Sequence, residues 1–209
     1  MKSKHRYYIK QGIKNFDVRR LNHEEFEEYK CRLLEIINTV RVNDYHLLAV
    51  EKIAEPNENQ YYLGAFDKEK GMLDGWALIT EHDDYIELTS LKVLPECEKR
   101  SINAALVYGL INIYGDKLCK DLYICNGTRT INHPTQFNAY LRRMFEFRKA
   151  YCRLRIHYRW FVKLAVILLR PFRKRIVTIG EGRVGMIHQV ASVMKMDEIA
   201  RACSDKSLV

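Results

Sequence analysis

The sequence predicts a mixed α/β (α+β) fold, with helices flanking a central sheet. Residues 61–95 contain three extended segments separated by the short polar turns 68–71 and 82–84, a pattern typical of an antiparallel meander. A helical pattern over residues 102–113 then leads to another extended segment, 120–125. A strand reached through a helix is expected to run parallel to the strand before it. The sheet is therefore predicted to be mixed.

The segments before residue 61 predict one strand and one helix. Alternating apolar residues over 16–21 indicate a short strand. Asn22 followed by Glu25 is typical of a helix N-cap, and apolar residues then recur at spacings of three and four through residue 40. We therefore expect an amphipathic helix over residues 23–40.

The segments after residue 125 predict further elements of both kinds. Residue 160 begins an apolar run to residue 169 that fits either a helix or a strand packed on the sheet. In its second interpretation, this run is an interfacial element that lies on anionic lipid. The remaining predictions are a helix near 134–144, strands at 147–158 and 175–180, and a helix over 186–203 with Ile187, Val190, Val193 and Met194 on one side.

Length and cysteine content favour one cytoplasmic domain without a metal site. A chain of 209 residues suits a single domain over 1–209, with its core at 61–158 and a basic C-terminal extension at 159–209. No apolar stretch approaches the roughly 18–20 residues that a membrane span requires. The six cysteines include no Cys-x-x-Cys pair, which favours reduced thiols over a zinc site or a disulfide framework.

Positive charge is concentrated in residues 142–175. That segment has twelve Lys and Arg residues and a single acid, giving +11, so the rest of the chain carries −2 of the total of +9. Such a field attracts anionic partners, among them a membrane surface inside the cell or an acidic carrier protein. A solvated face without a partner explains the charge equally well. No recognised nucleic-acid-binding module is present, so nucleic acid is the least favoured partner.

Two local patterns resemble the GNAT superfamily of N-acyltransferases. Leu91-Lys-Val-Leu-Pro95 and the helix after it are similar to the family's strand-to-helix acyl-donor motif. Tyr140 to Arg148, leading into residues 150–154, resembles the family's segment in which a helix runs into the next strand. The order of predicted elements agrees with this resemblance, which identifies the chain as a divergent member.

The resemblance implies a splayed sheet that binds an acyl-CoA or acyl-carrier-protein thioester. The strand ending at Val93 would diverge after Thr89 from the parallel strand ending at Cys125, and free backbone groups near Leu91 would bond the donor's pantetheine arm. The start of the following helix would receive the donor's pyrophosphate.

The phosphate-binding turn departs from the family pattern. Its two glycine positions hold Ser101 and Asn103, and Glu98 replaces the usual Arg or Gln. Lys99 and Arg100 can still pair with phosphate. An ordinary helix start explains this turn as well, and a silent donor site stays possible.

Glu87 is the candidate general base, because some GNAT members carry a base at this point of the strand. Strand parity predicts that Glu87 faces the same side as Thr89, Leu91 and Val93. An exposed strand glutamate without a catalytic role is the alternative.

No tyrosine stands at the family's usual general-acid position, which here is Arg142. His133, close to Thr135 at the predicted mouth of the splay, is the substitute for proton transfer, and Thr135 is a candidate donor-binding residue. Helix capping is the plainer explanation for this histidine.

The sequence therefore favours an N-acyltransferase that moves an acyl group from a thioester to an amine. The acceptor would be a small molecule or a lipid-linked amine close to the membrane. The alternative is a GNAT-fold protein without catalysis that binds an anionic partner through residues 142–175.

Overall fold

The computed structural model describes residues 3–43, 49–118, 122–127, 136–149, 155–180 and 185–205. The chain forms two compact units, residues 1–128 and 129–209. The predicted organisation, one domain with a core at 61–158 and an extension at 159–209, stays a prediction.

The described residues of the first unit form the sheet and three α-helices. Its elements are α1 (Ser3–Asn15), β1 (Phe16–Arg20), α2 (His23–Asn43), β2 (Gln60–Asp67), β3 (Leu73–Glu81), β4 (Tyr85–Val93), α3 (Ile102–Tyr114) and β5 (Tyr123–Cys125). A 3₁₀ turn, Pro95–Arg100, connects β4 to α3. The second unit contains α4 (Phe137–Phe145), α5 (Trp160–Leu169), α6 (Arg173–Gly180) and α7 (Met186–Asp205).

The five strands form one sheet in the order β1-β2-β3-β4-β5. The first four strands are antiparallel to their neighbours, and β5 is parallel to β4. The predicted meander and the parallel crossover strand are confirmed. The predicted α/β (α+β) fold, a mixed central sheet flanked by helices, is therefore confirmed.

Helices cover both faces of this sheet. Neighbouring residues of β2 point to opposite sides: the hydroxyl of Tyr61 meets that of Tyr114 on α3 at 2.9 Å, whereas the ring of Tyr62 stacks on Phe26 of α2. The reciprocal hydrogen bonds between Asn22 and Glu25 form the capping box that starts α2. The core of this unit thus lies in two layers, one under α2 and one under α3.

Helix α1 was not predicted, and it packs against α3. Its inward residues recur at spacings of three and four, but only Ile9 among them is a large buried apolar residue. Gly12 allows the close approach, because a Cβ there would lie 2.7 Å from the carbonyl oxygen of Ser101 and 2.9 Å from the amide nitrogen of Ala105. A stripe this weak in apolar content is easily missed in the sequence.

Strand β4 contains a β-bulge at Thr89. Leu78 of β3 lies opposite Ser90, and the next residue, Ile79, lies opposite Leu88, so Thr89 is the extra residue. A bulge of this kind shifts the alternation of all side chains that follow it. This shift changes the face on which the predicted site residues lie.

Two strand predictions for the C-terminal half were wrong within the described residues. Of the predicted strand 147–158, the described segments 147–149 and 155–158 form no strand. The other predicted strand, 175–180, belongs to helix α6. The alternation of apolar residues is a local pattern, and it cannot supply the partner edge that a strand requires.

In the second unit, α6 and α7 pack closely. A Cβ on Gly180 would lie only 2.3 Å from the Cβ of Ala191, and Met194 is fully buried. The predicted helix over 186–203 is confirmed, but Ile187, expected on its inner side, is 44% exposed. The buried carboxylate of Asp197 contacts the guanidinium groups of Arg170 at 3.5 Å and Arg201 at 2.6 Å.

Candidate active site

Strands β4 and β5 separate after one short parallel ladder. The pairs are Tyr85 with Tyr123, Ile86 with Ile124 and Glu87 with Cys125, and within residues 122–127 no later pair follows. Residues 88–93 of β4 therefore extend beyond the ladder. The ladder thus ends at Glu87, two residues before the predicted point of divergence at Thr89, and the gap beyond it stays a prediction.

The carboxylate of Glu87 lies at this fork. One oxygen, Oε2, is 3.5 Å from Nε2 of His82, and the side chain is 27% exposed. The other oxygen, Oε1, lies against Gly127, where an added Cβ would be only 2.5 Å away. Gly127 has φ +60°, a conformation that favours glycine. Gly127 thus lies directly against the candidate base.

Aromatic rings line up beside the fork. The imidazole of His82 stacks on Tyr85 with centroids 4.0 Å apart, and Tyr85 stacks on Tyr123 at 5.8 Å. Burial, together with the nearby charge of Glu87, raises the pKa of the Tyr85 hydroxyl. Burial and the same carboxylate also raise the pKa of the Cys125 thiol, so this cysteine is favoured as a neutral thiol and not as a nucleophile.

The prediction that Glu87 shares a face of the sheet with Thr89, Leu91 and Val93 was wrong for Leu91 and Val93. Glu87 is opposite Thr80 of β3, whereas Leu91 and Val93 are opposite Ala77 and Gly75. Residues directly opposite each other share a face, so Leu91 and Val93 lie on the other side of the sheet from Glu87. The cause is the extra residue of the bulge.

Thr89 was correctly placed on the Glu87 side. Its Oγ1 lies 2.7 Å from Oγ1 of Thr80, the residue opposite Glu87. Val93, in contrast, lies on the α3 side, where both its side chain and that of Ile102 would meet a Cβ added at Gly75. The catalytic and donor-binding residues were thus predicted on one face and are divided between two.

At the predicted phosphate site, α1 covers the start of α3. Ser101 has φ +67° and is buried, and its Oγ donates a 2.7 Å hydrogen bond to Oε1 of Gln11 on α1. The side chain of Asn15 also donates a 3.1 Å hydrogen bond to the carbonyl of Arg100. The polar groups of this turn are therefore partly occupied by α1.

Arg100, predicted to pair with phosphate, contacts a carboxylate. Its guanidinium donates to both oxygens of Asp67, a residue with no solvent exposure, and lies over the ring of Phe16. The hydrogen bond from Arg100 is the largest cause of the lowered pKa of Asp67. This pairing joins the turn to the end of β2.

The other predicted donor-binding residues differ in accessibility. Lys99 is exposed, and the amide of Asn103 donates a 3.5 Å hydrogen bond to Glu98. Leu91 is half-buried and Val93 is buried. His133 and Thr135 lie outside the described residues, so their predicted roles stay predictions.

Sequence reasoning missed His82 as a member of the site. The hairpin turn brings the amide of His82 within 2.9 Å of the carbonyl of Tyr85, and this turn places the imidazole diagonally beside Glu87. A histidine five residues before a strand glutamate, across a tight turn, was the available signal. Gly127 gave no comparable signal, because its contact with Glu87 depends on tertiary structure.

An open groove lies beside His82. It has a volume of about 500 Å³ and is lined by Asn59, Glu81, His82, Asp83, Asp84 and Tyr85. Three of these six residues carry carboxylates. Among the described residues, no group of three or more His, Cys, Asp or Glu side chains has the arrangement to hold a metal ion.

The fold resembles that of GNAT acetyltransferases. No protein-family model matches the sequence, and no curated protein sequence matches it closely enough to count as a relative.

Similar solved structures include several acetyltransferases at low sequence identity. An aminoglycoside acetyltransferase from an uncultured soil metagenomic sample, solved with sisomicin, has 9% identity and a TM-score of 0.49, and the match covers 70% of this chain and 99% of that one. An aminoglycoside 6'-N-acetyltransferase from Acinetobacter baumannii has 12% identity and a TM-score of 0.45, covering 69% and 98%. An acetyltransferase from Trypanosoma brucei has 12% identity and a TM-score of 0.45, covering 69% and 100%.

Helices of the described segments are all too short or too polar to cross a membrane.

Proposed function

We propose that this protein is an N-acyltransferase that transfers an acyl group from a thioester to a small-molecule amine. The observation that carries the proposal is the fork at Glu87, where β4 extends beyond its ladder with β5 and a carboxylate and an imidazole lie side by side. Backbone groups beyond a ladder are available to hold an extended ligand. The fork therefore combines a place for the thioester arm with a proton acceptor.

The donor would run along residues 88–93 of β4 toward the start of α3. Lys99 is exposed and can pair with a phosphate of acyl-CoA or of an acyl-carrier protein. Because α1 covers one side of the Ser101 turn, the phosphate would approach from the side of Lys99 and Asn103. Arg100 would contribute only if its pair with Asp67 were broken.

Glu87 would act as the general base. It takes a proton from the attacking amine, the nitrogen forms a bond to the thioester carbon, and the carbon–sulfur bond breaks to release the thiolate, which is protonated from solvent. His82, 35% exposed, would pass the proton of Glu87 to water. His133 stays a second candidate for proton transfer.

The acidic groove supports an amine as the acceptor. Glu81, Asp83 and Asp84 would attract a cationic amine to a place next to His82. A lipid-linked amine is the alternative acceptor that we retain. A cytoplasmic location belongs to the proposal, supported by the free thiols of Cys31, Cys97 and Cys125.

Donor binding can be measured first by thermal unfolding with CoA, acetyl-CoA and a long-chain acyl-CoA. A ligand at about 100 times its Kd stabilises the folded state by about 2.7 kcal/mol. For a chain of this length, that corresponds to a rise in Tm of about 5–10 °C. No rise with any of the three would contradict acyl-CoA as the donor.

Catalysis is then tested by release of free thiol with a panel of amines. Glu87→Gln should lower the rate about 100-fold or more while leaving the Tm rise with donor unchanged. The exposed Glu51→Gln is the matched control and should keep the wild-type rate. Equal rates for Glu87→Gln and Glu51→Gln would rule out Glu87 as the base.

The second candidate function is a protein of the same fold without catalysis. The covered start of α3 and the pairing of Arg100 with Asp67 favour it, because both reduce the space and charge available to a phosphate. This candidate would give neither a Tm rise with any thioester or free CoA nor thiol release. An anionic partner would then bind residues 142–175.

A further inference from the structure

The exposed surface of helix α5 is largely apolar. Its large exposed apolar side chains are Trp160 (78% exposed), Phe161 (50%), Leu164 (53%), Ile167 (44%) and Leu168 (65%). Only Val166 of this helix is buried, and α5 contacts α7. A helix of a water-exposed surface normally has the opposite arrangement.

These five side chains form one continuous stripe. Their positions follow the spacing i, i+1, i+4, i+7 and i+8 from Trp160, which places them on one side of a helix with 3.6 residues per turn. The rings of Trp160 and Phe161 meet edge to face at 5.8 Å. Phe172, 56% exposed in the turn that follows, continues the apolar surface. We name these six residues the α5 face.

Basic residues flank the α5 face in the sequence. Residues 155–180 contain seven Lys and Arg and no Asp or Glu. Arg170 and Arg173 are paired with Asp197 and Glu198 of α7. The other five, Arg155, Arg159, Lys163, Lys174 and Arg175, are exposed.

The two ion pairs with α7 also fix the orientation of this surface. Arg170 follows α5 directly and Arg173 begins α6, and both guanidinium groups are held by carboxylates on the same helix. The segment is therefore anchored on its α7 side. Trp160, Leu164 and Leu168 of the same segment stay exposed.

A second copy of the chain is a poor occupant for the α5 face. Each copy would bring the same net positive charge of this segment to the interface, and like charges at close range are unfavourable. An anionic bilayer satisfies both features, because apolar side chains enter the acyl boundary while Lys and Arg lie at the level of the phosphates. Exposed Trp is also common at that depth.

We infer that the α5 face docks on the surface of a bilayer that contains anionic phospholipids. Helix α5 lies in the plane of the interface, with Trp160, Leu164 and Leu168 below the phosphates and Lys163, Lys174 and Arg175 at their level. This docking is independent of acyl transfer at Glu87. It would hold the protein at a membrane without a spanning segment.

Vesicle co-sedimentation of the full chain tests this inference. Vesicles with about one-third phosphatidylserine should pellet the protein, and vesicles of phosphatidylcholine alone should pellet much less. An apolar triple variant, Trp160→Ser with Leu164→Ser and Leu168→Ser, tests the contribution of the apolar side chains. It should lower the partition coefficient between vesicle and water on the order of tenfold or more. The variant Lys163→Gln, Lys174→Gln, Arg175→Gln should lower it about 100-fold, roughly fivefold for each charge removed.

Matched controls lie in the first unit. Met72→Ser with Ile113→Ser removes two exposed apolar side chains, and Lys10→Gln with Lys14→Gln and Lys117→Gln removes three exposed charges. Both control variants should bind like the wild type. Glu87→Gln should also bind like the wild type, which separates failure of this inference from failure of the proposed reaction.

Fluorescence gives a second measurement. The chain has two tryptophans, of which Trp76 is buried and Trp160 is exposed. Anionic vesicles should shift the emission to shorter wavelength in the wild type and in Trp76→Phe, but not in Trp160→Phe. The inference would be overturned if neutral and anionic vesicles pelleted the protein equally, or if no vesicle pelleted it at low salt. It would also be overturned if the wild type bound no vesicles but formed dimers that the apolar triple variant did not form.

Discussion

Asp67, which has no solvent exposure, accepts hydrogen bonds from Arg100 through both carboxylate oxygens. The amides of Glu69 and Lys70 donate to the same carboxylate at 2.9 and 3.3 Å. The pair joins the end of β2 to the turn before α3. A residue that the sequence assigns to phosphate binding therefore has a structural partner.

Removal of this arginine should destabilise the fold strongly. Arg100→Met leaves the carboxylate of Asp67 buried without its counter-charge, and we expect a loss of about 3 kcal/mol in the free energy of unfolding, measured in urea. Lys99→Met, at the exposed neighbouring position, is the control and should change it by less than about 0.5 kcal/mol. Equal effects of the two substitutions would show that the pair has no special role.

The same pair predicts a dependence of stability on pH. The pKa of Asp67 is lowered in the folded state, mainly by the hydrogen bond from Arg100. Its stabilising contribution is then fully present above the unfolded pKa of about 3.9 and is lost as the pH falls through the lower folded value. Unfolding in urea between about pH 5 and 2 should show this loss in the wild type. A loss of the same size in Arg100→Met would contradict the assignment.

Gly127 and Gly71 allow a matched test of the contact with Glu87. Both have positive φ, at +60° and +67°, but an added Cβ meets Oε1 of Glu87 at position 127 and nothing within 4 Å at position 71. Gly71→Ala should cost only backbone strain, about 1–2 kcal/mol. Gly127→Ala should add displacement of the carboxylate and lower kcat by up to about 100-fold.

Thiol-release kinetics and urea unfolding of both alanine variants check this expectation. If Gly127→Ala keeps the wild-type kcat, the contact between residue 127 and Glu87 does not position the base. A kcat lowered equally in Gly71→Ala would assign the effect to stability alone.

Ser101→Gly should leave stability nearly unchanged and improve access for a donor. Glycine removes left-handed strain at φ +67°, a gain of about 1 kcal/mol, but it also removes the hydrogen bond to Gln11, a loss of similar size. The Tm rise with acetyl-CoA should be larger in this variant than in the wild type, because the backbone becomes more accessible. A smaller rise would mean that the Ser101 side chain itself contacts the donor.

Tyr114→Phe should be much more destabilising than Tyr108→Phe on the same helix. The hydroxyl of Tyr114 donates to Glu81 and lies 2.9 Å from that of Tyr61, and all three groups lie in or near the core, whereas Tyr108 is exposed. Loss of a buried hydroxyl that serves two partners costs about 1–3 kcal/mol, measured by urea unfolding at pH 7. Equal stability of the two variants would contradict a structural role for this chain of hydroxyls.

Tyr114 also predicts a change in stability at high pH. Burial and the hydrogen bond to Glu81 raise its pKa. A group with a raised pKa contributes stability that is complete below the unfolded value, about 10, and is lost as the pH rises through the folded value. The difference in unfolding free energy between wild type and Tyr114→Phe should therefore narrow above about pH 10.

The sequence predicted the sheet well because its signals are local. The alternation of apolar residues and the polar turns predicted β1 to β4. Asn22 and Glu25, which form a capping box, predicted the start of α2. The parallel direction of β5 followed from a general rule of chain connections. Each of these features depends on residues close together in the chain.

The site was predicted only in part because it depends on contacts between distant residues. One extra residue at Thr89 moved Leu91 and Val93 to the face opposite Glu87, and no local pattern announces such a bulge. The partner of Arg100 is 33 residues away, and that of Ser101 is 90 residues away. These pairings form only when separate elements pack together.

By itself, the sequence determined a mixed sheet with a parallel last pair and a carboxylate on its fourth strand. Tertiary structure alone decided where that carboxylate lies, which histidine meets it, and which polar groups of the turn before α3 are already occupied. Periodicity fixes the face of a regular element, whereas bulges, buried ion pairs and helix packing depend on energies that arise only when the chain is folded.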